Sequence, residues 1–251
     1  MDADLSRRPT HHSPAAPATP RLDRIAGRLL REHADLLQRV HETDPETLRD
    51  QVDVTTVPAP PFGEEHRAAW MRARLTEYGV LDTAVDATGN VAGRIAGADP
   101  DAPPLIVSAH LDTVFPAGTD VTPRVEGDRL SAPGISDDGR GLAALLTLGR
   151  LLAADSPRTA APIVLAATVG EEGIGDLRGV RGLFESQAGT RAAGFISLDG
   201  AGITRVVTAG IGSIRRSYRV SGPGGHSWVD YGRPNPIDAT PDTTPRYSRP
   251  S

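Results

Sequence analysis

The 251-residue chain contains no cysteine. That absence removes disulfide frameworks, thiolate-bound zinc ribbons and thiol nucleophiles together. Lysine is also missing, because all 27 basic residues are arginine. Schiff-base chemistry and a P-loop lysine are thereby excluded. No uninterrupted apolar stretch reaches the length of a membrane span. The first residues, "MDADLSRRPTHHSPAAPATPR", are polar and proline-rich, with no apolar segment of the kind a signal peptide needs. A soluble, cytoplasmic protein is the expectation. The formal charge of −5 gives no basis for a nucleic-acid or anionic-membrane partner. Any metal in such a chain must be held by His, Asp and Glu.

What remains is ordinary for a globular protein. Hydrophobic residues make up 38%, and the 27 glycines bring the apolar share to about half. The length allows one large domain or one and a half ordinary ones. Residues 1–20 are expected to be disordered. Apolar residues then recur at helical spacing from Leu22 to Val40, and "VPAPPFG" breaks that pattern. A second helix is expected from Glu64 to Tyr78, ended by Gly79. Beyond it strand and helix patterns alternate: "LIVSA" (Leu105–Ala109), a helix over Gly141–Ala153, "PIVLAATV" (Pro162–Val169), a short helix in "GVRGLFES", and "GFISLD" (Gly194–Asp199). Continuous apolar strands separated by helices predict an α/β fold, a mostly parallel sheet flanked by helices. From Ile203 onward the texture becomes Gly-separated and β-branched, which predicts a hairpin or the start of a second, antiparallel unit. The Pro/Thr/Ser-rich residues 240–251 are expected to be a disordered tail.

The placement of charge is more telling than its amount. "LIVSA" runs into His110 and Asp112, "PIVLAATV" runs through Gly170 into Glu171 and Glu172, and "GFISL" runs into Asp199. Open parallel sheets bind ligands beyond the carboxyl ends of their strands. Asp137 and Asp138 precede the Gly141–Ala153 helix and reach the same rim in this pattern. Each feature has a plainer explanation when taken alone. Adjacent aspartates cap helices, two glutamates make a solvated turn, and His110 with Asp112 can be a structural hydrogen bond. Their joint arrival at three successive strand ends favours a metal centre. So many carboxylates at one edge repel and raise one another's pKa unless a cation neutralises them. Oxygen donors with one imidazole suit a hard or borderline divalent ion, zinc first, with manganese or cobalt as alternatives. In such a centre His110 is a ligand and Asp112 orients its other ring nitrogen. Of Glu171 and Glu172, one ligates and the other acts as general base.

Five stretches occur in the order of a known family: "HLDTVFP" (His110–Pro116), "GISDDGRG" (Gly134–Gly141), "GEEG" (Gly170–Gly173), "SLDG" (Ser197–Gly200) and "GPGGHSW" (Gly222–Trp228). Together they resemble the M20 metallopeptidases, a family of carboxypeptidases, dipeptidases, tripeptide aminopeptidases and N-acyl amino acid deacylases. The resemblance runs from about Val57 to Ala239. It implies an amide hydrolase with two zinc ions, acting on small peptides or N-acyl amino acids. It also implies a catalytic domain over residues 21–209 and the start of a lid or dimerisation domain over residues 210–239. By the same resemblance, His110 and Asp199 are ligands of the first metal, Asp137 bridges both, Glu172 holds the second, and Asp112 orients His110. Glu171 is then the general base, His226 contacts the substrate, and a cis peptide lies between Asp137 and Asp138.

The pattern departs from the family beyond "GRPNPIDA". A last histidine for the second metal is expected there, yet none of the seven histidines follows His226. The expectation is a C-terminally truncated relative with weak or no turnover and doubtful dimerisation. The alternatives are a catalytically inactive metal-binding fragment serving in association, or a single-domain two-metal aminopeptidase without a lid, against which "GPGGHSW" speaks.

Overall fold

The computed structural model describes residues 20–154, 159–200, 202, 205–210, 219–226, 228–234 and 236. The chain divides into two units, Met1–Gly202 and Ile203–Ser251. Apart from Pro20, the N-terminal residues expected to be disordered lie outside the described residues, as do residues 240–251. Among the described residues, no helix is long and apolar enough to cross a membrane.

Helices α1 (Pro20–Glu32) and α2 (Ala34–Glu42) stand where one continuous helix was expected, because the backbone leaves the helical region at His33, with φ −117° and ψ 24°. Helix α3 (Asp44–Thr55) escapes a reading by apolar periodicity, although Asp44-Pro45 marks its start with a proline in the first turn. Helix α4 (Glu65–Glu77) follows the expected Glu64–Tyr78 stretch closely.

The sheet has the order β1 (Leu81–Val85), β2 (Val91–Ile95), β6 (Ile163–Thr168), β3 (Leu105–His110), β7 (Gly194–Ser197). Its centre is parallel, with Ile106 opposite Val164 on β6 and Phe195 on β7. The β1–β2 hairpin adds an antiparallel edge against β6. No apolar run marks that hairpin in the sequence, since β1 is largely exposed. A separate small hairpin pairs β4 (Arg124–Glu126) with β5 (Arg129–Ser131).

Helix α5 (Gly139–Ala154) connects β3 to β6 and covers one face. Its Leu142, Leu145 and Leu146 are fully buried with Val54, Met71, Leu75 and Leu165. Each such side chain stabilises the fold by roughly 2 kcal/mol. On the other face, Ile106, Val164 and Ala166 pack with Leu183 of α6 (Arg178–Glu185) and with Phe195. A short α7 (Gln187–Thr190) leads into β7. Burial on both faces is why these strands read as unbroken apolar runs.

In the second unit, residues 205–210 and 219–226 carry no strand. The rest of the expected hairpin lies outside the described residues.

Candidate metal centre

The carboxyl ends of β3, β6 and β7 open at one rim, and each is followed by acidic or imidazole side chains. His110 ends β3 and is 3% exposed. Its Nδ1 lies 2.8 Å from the main-chain oxygen of Asp112, an atom that can only accept, so Nδ1 carries a hydrogen. In the neutral ring Nε2 therefore holds the lone pair, and it faces Asp137 Oδ1 at 2.9 Å and Asp199 Oδ1 at 4.0 Å. Ligand atoms of His110, Asp137 and Asp199 all lie within 4.8 Å of one another. Those of His110, Glu171 and Glu172 do so as well.

Asp112 is completely buried. Its carboxylate sits 3.8 Å from His110 Nδ1, so the main-chain carbonyl, rather than the carboxylate, makes the short contact with the ring. The two carboxylate oxygens instead accept the backbone N–H groups of Glu171, at 3.0 Å, and of Glu172, at 2.8 Å. One buried residue thus sets the tautomer of the histidine and holds the loop that bears both glutamates.

Asp137 and Asp138 are joined by a cis peptide bond. They face different ways. Asp138 is buried, accepts from Gly141 at 3.1 Å, and has its carbonyl bonded by Leu142, so it is the N-cap of α5. Asp137 is left to face His110.

Residues Gly170–Leu177 form a loop between β6 and α6. Its base is closed by a Gly179 N–H bond to the Val169 carbonyl at 2.9 Å. Asn90, fully buried, donates to the Gly179 carbonyl at 2.9 Å and accepts from Val169 at 3.1 Å.

The electrostatics follow from this crowding. Burial pushes the Asp138 carboxyl up to about 7, against the opposing effect of His110. Burial also raises Glu171, helped by Asp199 and Asp112, and raises Glu172, helped by Glu171 and Asp137. For His110, burial pulls the imidazole down, but the Asp138 and Asp112 charges and the Asp137 hydrogen bond outweigh it and the net shift is upward. One imidazole lone pair facing several carboxylates is the donor set of a divalent cation.

His226 lies in the second unit, exposed, with its N–H bonded to Asp230 Oδ2 at 2.8 Å.

Carboxypeptidase G2 of Pseudomonas sp. (strain RS-16) is 30% identical over 157 residues, which are 58% of this chain and 37% of that protein. The solved aminopeptidase PepT from Bacillus cereus ATCC 10987 shares 22% identity at a TM-score of 0.52, over 62% of this chain and 43% of that one. A tripeptidase structure from Staphylococcus aureus subsp. aureus mu50 shares 22% identity at a TM-score of 0.51, with the same coverage of 62% and 43%. At these identities the structural likeness concerns the fold. The chain spans about two fifths of the length of these relatives. The family model that matches is that of peptidase family M28, over residues 90–216. The resemblance seen in the motifs therefore holds for metallopeptidases of this kind, and the finer M20 assignment rests on the motifs alone. Because that match covers half of its length, the chain belongs to peptidase family M28.

Proposed function

We propose that this chain carries the metal-dependent centre of a cytoplasmic hydrolase that cleaves amide bonds in small peptides or N-acyl amino acids, as its M20-like motifs suggest. The observation that supports the reading is the convergence of His110, Asp137 and Asp199, and of Glu171 and Glu172, at adjacent strand ends. His110 through Nε2, Asp137 and Asp199 are the residues that would hold a first ion, and Glu172 with Asp137 a second. Zinc is favoured, with manganese or cobalt as alternatives. Such ions polarise a carbonyl and lower the pKa of water.

The remaining chemistry belongs to the side chains. Glu171 takes a proton from the attacking water and passes it to the leaving amine. Asp112 keeps the backbone at Glu171 and Glu172 fixed while that happens, through the two N–H bonds it accepts. Asp138 anchors the start of α5 and leaves Asp137 free at the rim.

Purified protein supplied with Zn²⁺ or Mn²⁺ and a panel of dipeptides, tripeptides and N-acyl amino acids tests this. The expected result is weak turnover that chelation abolishes and that Glu171→Ala lowers by about 100-fold or more. A second reading, a metal-binding module without turnover, is favoured by one feature: the two candidate ligand sets share His110. Binding of a single ion with no hydrolysis of any panel member would establish that second reading instead.

A further inference from the structure

The loop that carries Glu171 and Glu172 is backed by a pair of residues far apart in the chain. Arg178, at the start of α6, reaches both carboxylate oxygens of Glu64 with Nη2, each at 2.7 Å. Glu64 is 4% exposed. The guanidinium carbon lies 4.5 Å from the centre of the Phe62 ring. Arg178 Nη1 is buried and, among the described residues, has no hydrogen-bond partner. It is pressed against Gly170, so closely that a Cβ there would collide with it. Gly170 itself has φ +65°, a conformation that suits glycine, and Gly175 lies so close to it that a Cβ on Gly175 would collide with the Gly170 backbone.

Beside this contact lies a cavity of about 280 Å³, lined by Phe62, Glu64, Val85, Thr88, Val169 and Arg178. The cavity leaves open space on one side of the guanidinium, and its pairing with Glu64 together with its stacking on Phe62 holds it against Gly170. Glu64 is nearly buried while the Arg178 side chain is about a quarter exposed, so removing Arg178 leaves a carboxylate uncompensated in the interior.

We propose that Glu64 and Arg178 form a positioning clasp that presses on Gly170 and thereby fixes the direction in which Glu171 and Glu172 face His110. The inference rests on the reading in which those glutamates serve the metal centre. Neither Glu64 nor Arg178 touches the reacting groups. They act through the backbone of one glycine.

Two measurements on the full chain test it. The first is hydrogen exchange of the Glu171 and Glu172 amides in metal-free protein, since both amides are bonded to Asp112. Arg178→Gln and Glu64→Gln should each accelerate that exchange about tenfold or more, with exchange in β3 and β6 unchanged. Arg178→Lys should restore part of the protection, and the Glu64→Gln/Arg178→Gln double variant should be no worse than either single one. The second is titration with Co²⁺ alone, read by its visible absorption, in which both single variants should bind about tenfold more weakly. Unchanged exchange at Glu171 and Glu172 in both single variants overturns the clasp. So does acceleration that spreads equally through β3 and β6, which marks general destabilisation. If the unmodified chain binds no Co²⁺, the metal reading fails, while the exchange result still decides the clasp.

Discussion

The main-chain N–H of His110 donates to Asp138 Oδ2 at 2.9 Å. Through that bond the end of β3 is tied to the start of α5, 28 positions later in the sequence. The imidazole of the same histidine points the other way along the pair, to Asp137 Oδ1 at 2.9 Å. Two adjacent aspartates therefore split their work: one is structural and buried, the other half-exposed and facing the ring.

Removing metal should make stability depend on pH in a definite direction. Asp138 is raised from 3.8 to about 7 by burial, so the folded state keeps a proton that the unfolded chain releases. The stability this contributes is complete below the ordinary carboxylate range and is lost as pH rises through about 7. Glu171, Glu172 and His110 are raised as well and act in the same direction. Chelator-treated protein is expected to be less stable at about pH 8 than at about pH 5, by on the order of a few kcal/mol. Asp138→Asn should flatten most of that difference. Added zinc should raise the melting temperature more at the higher pH, where the ligands are deprotonated. A flat profile in the chelated parent protein would contradict the electrostatic account.

Gly141→Ala inverts the usual rule for helices. An alanine in place of glycine commonly stabilises a helix by about 1 kcal/mol. Here the new methyl group would land on the Asp138 carboxylate. The cap of α5 and the bond to His110 would both have to shift, and a net loss of about 1–3 kcal/mol is expected. Urea denaturation measures it, and a stabilised variant would show that Asp138 yields freely.

Asn90→Ala tests the base of the glutamate loop. It removes a bond to Asp86 Oδ2 at 2.8 Å, one to the Gly179 carbonyl at 2.9 Å and one from Val169 at 3.1 Å. The backbone groups of Val169 and Gly179 that Asn90 satisfied lose that partner in the interior. The expected cost is about 2–4 kcal/mol in equilibrium unfolding. A cost below about 1 kcal/mol would mean that water replaces the side chain.

Glu171→Gln and Glu172→Gln should separate base from ligand. The first is expected to lower turnover by about 100-fold or more and leave metal affinity nearly unchanged. The second should weaken metal binding by about tenfold or more, because glutamine is a poorer donor than carboxylate. Calorimetric titration with Zn²⁺ alone, set beside the rate of peptide hydrolysis, distinguishes them. Equal effects on affinity would erase the division of roles.

The placement of the candidate residues at the strand ends was legible in the chain because strands buried on both faces are continuous apolar runs. Where "LIVSA", "PIVLAATV" and "GFISL" stop, the polar residues that follow must stand at the rim, so His110, Glu171, Glu172 and Asp199 could be located by reading alone. The capping role of Asp138 was equally local, a matter of one carboxylate and a backbone amide three residues on. Helix α3 and the β1–β2 hairpin were not legible, since their contribution is to cover or extend the sheet without a strong pattern of their own. Tertiary structure alone decided that the Asp112 carboxylate serves the backbone of Glu171 and Glu172 while its carbonyl serves His110. It alone brought Glu64 and Arg178 together, 114 positions apart. The physical reason is the same in both cases: local sequence fixes which groups reach a strand end, but which donor a buried carboxylate finds depends on what the fold packs against it.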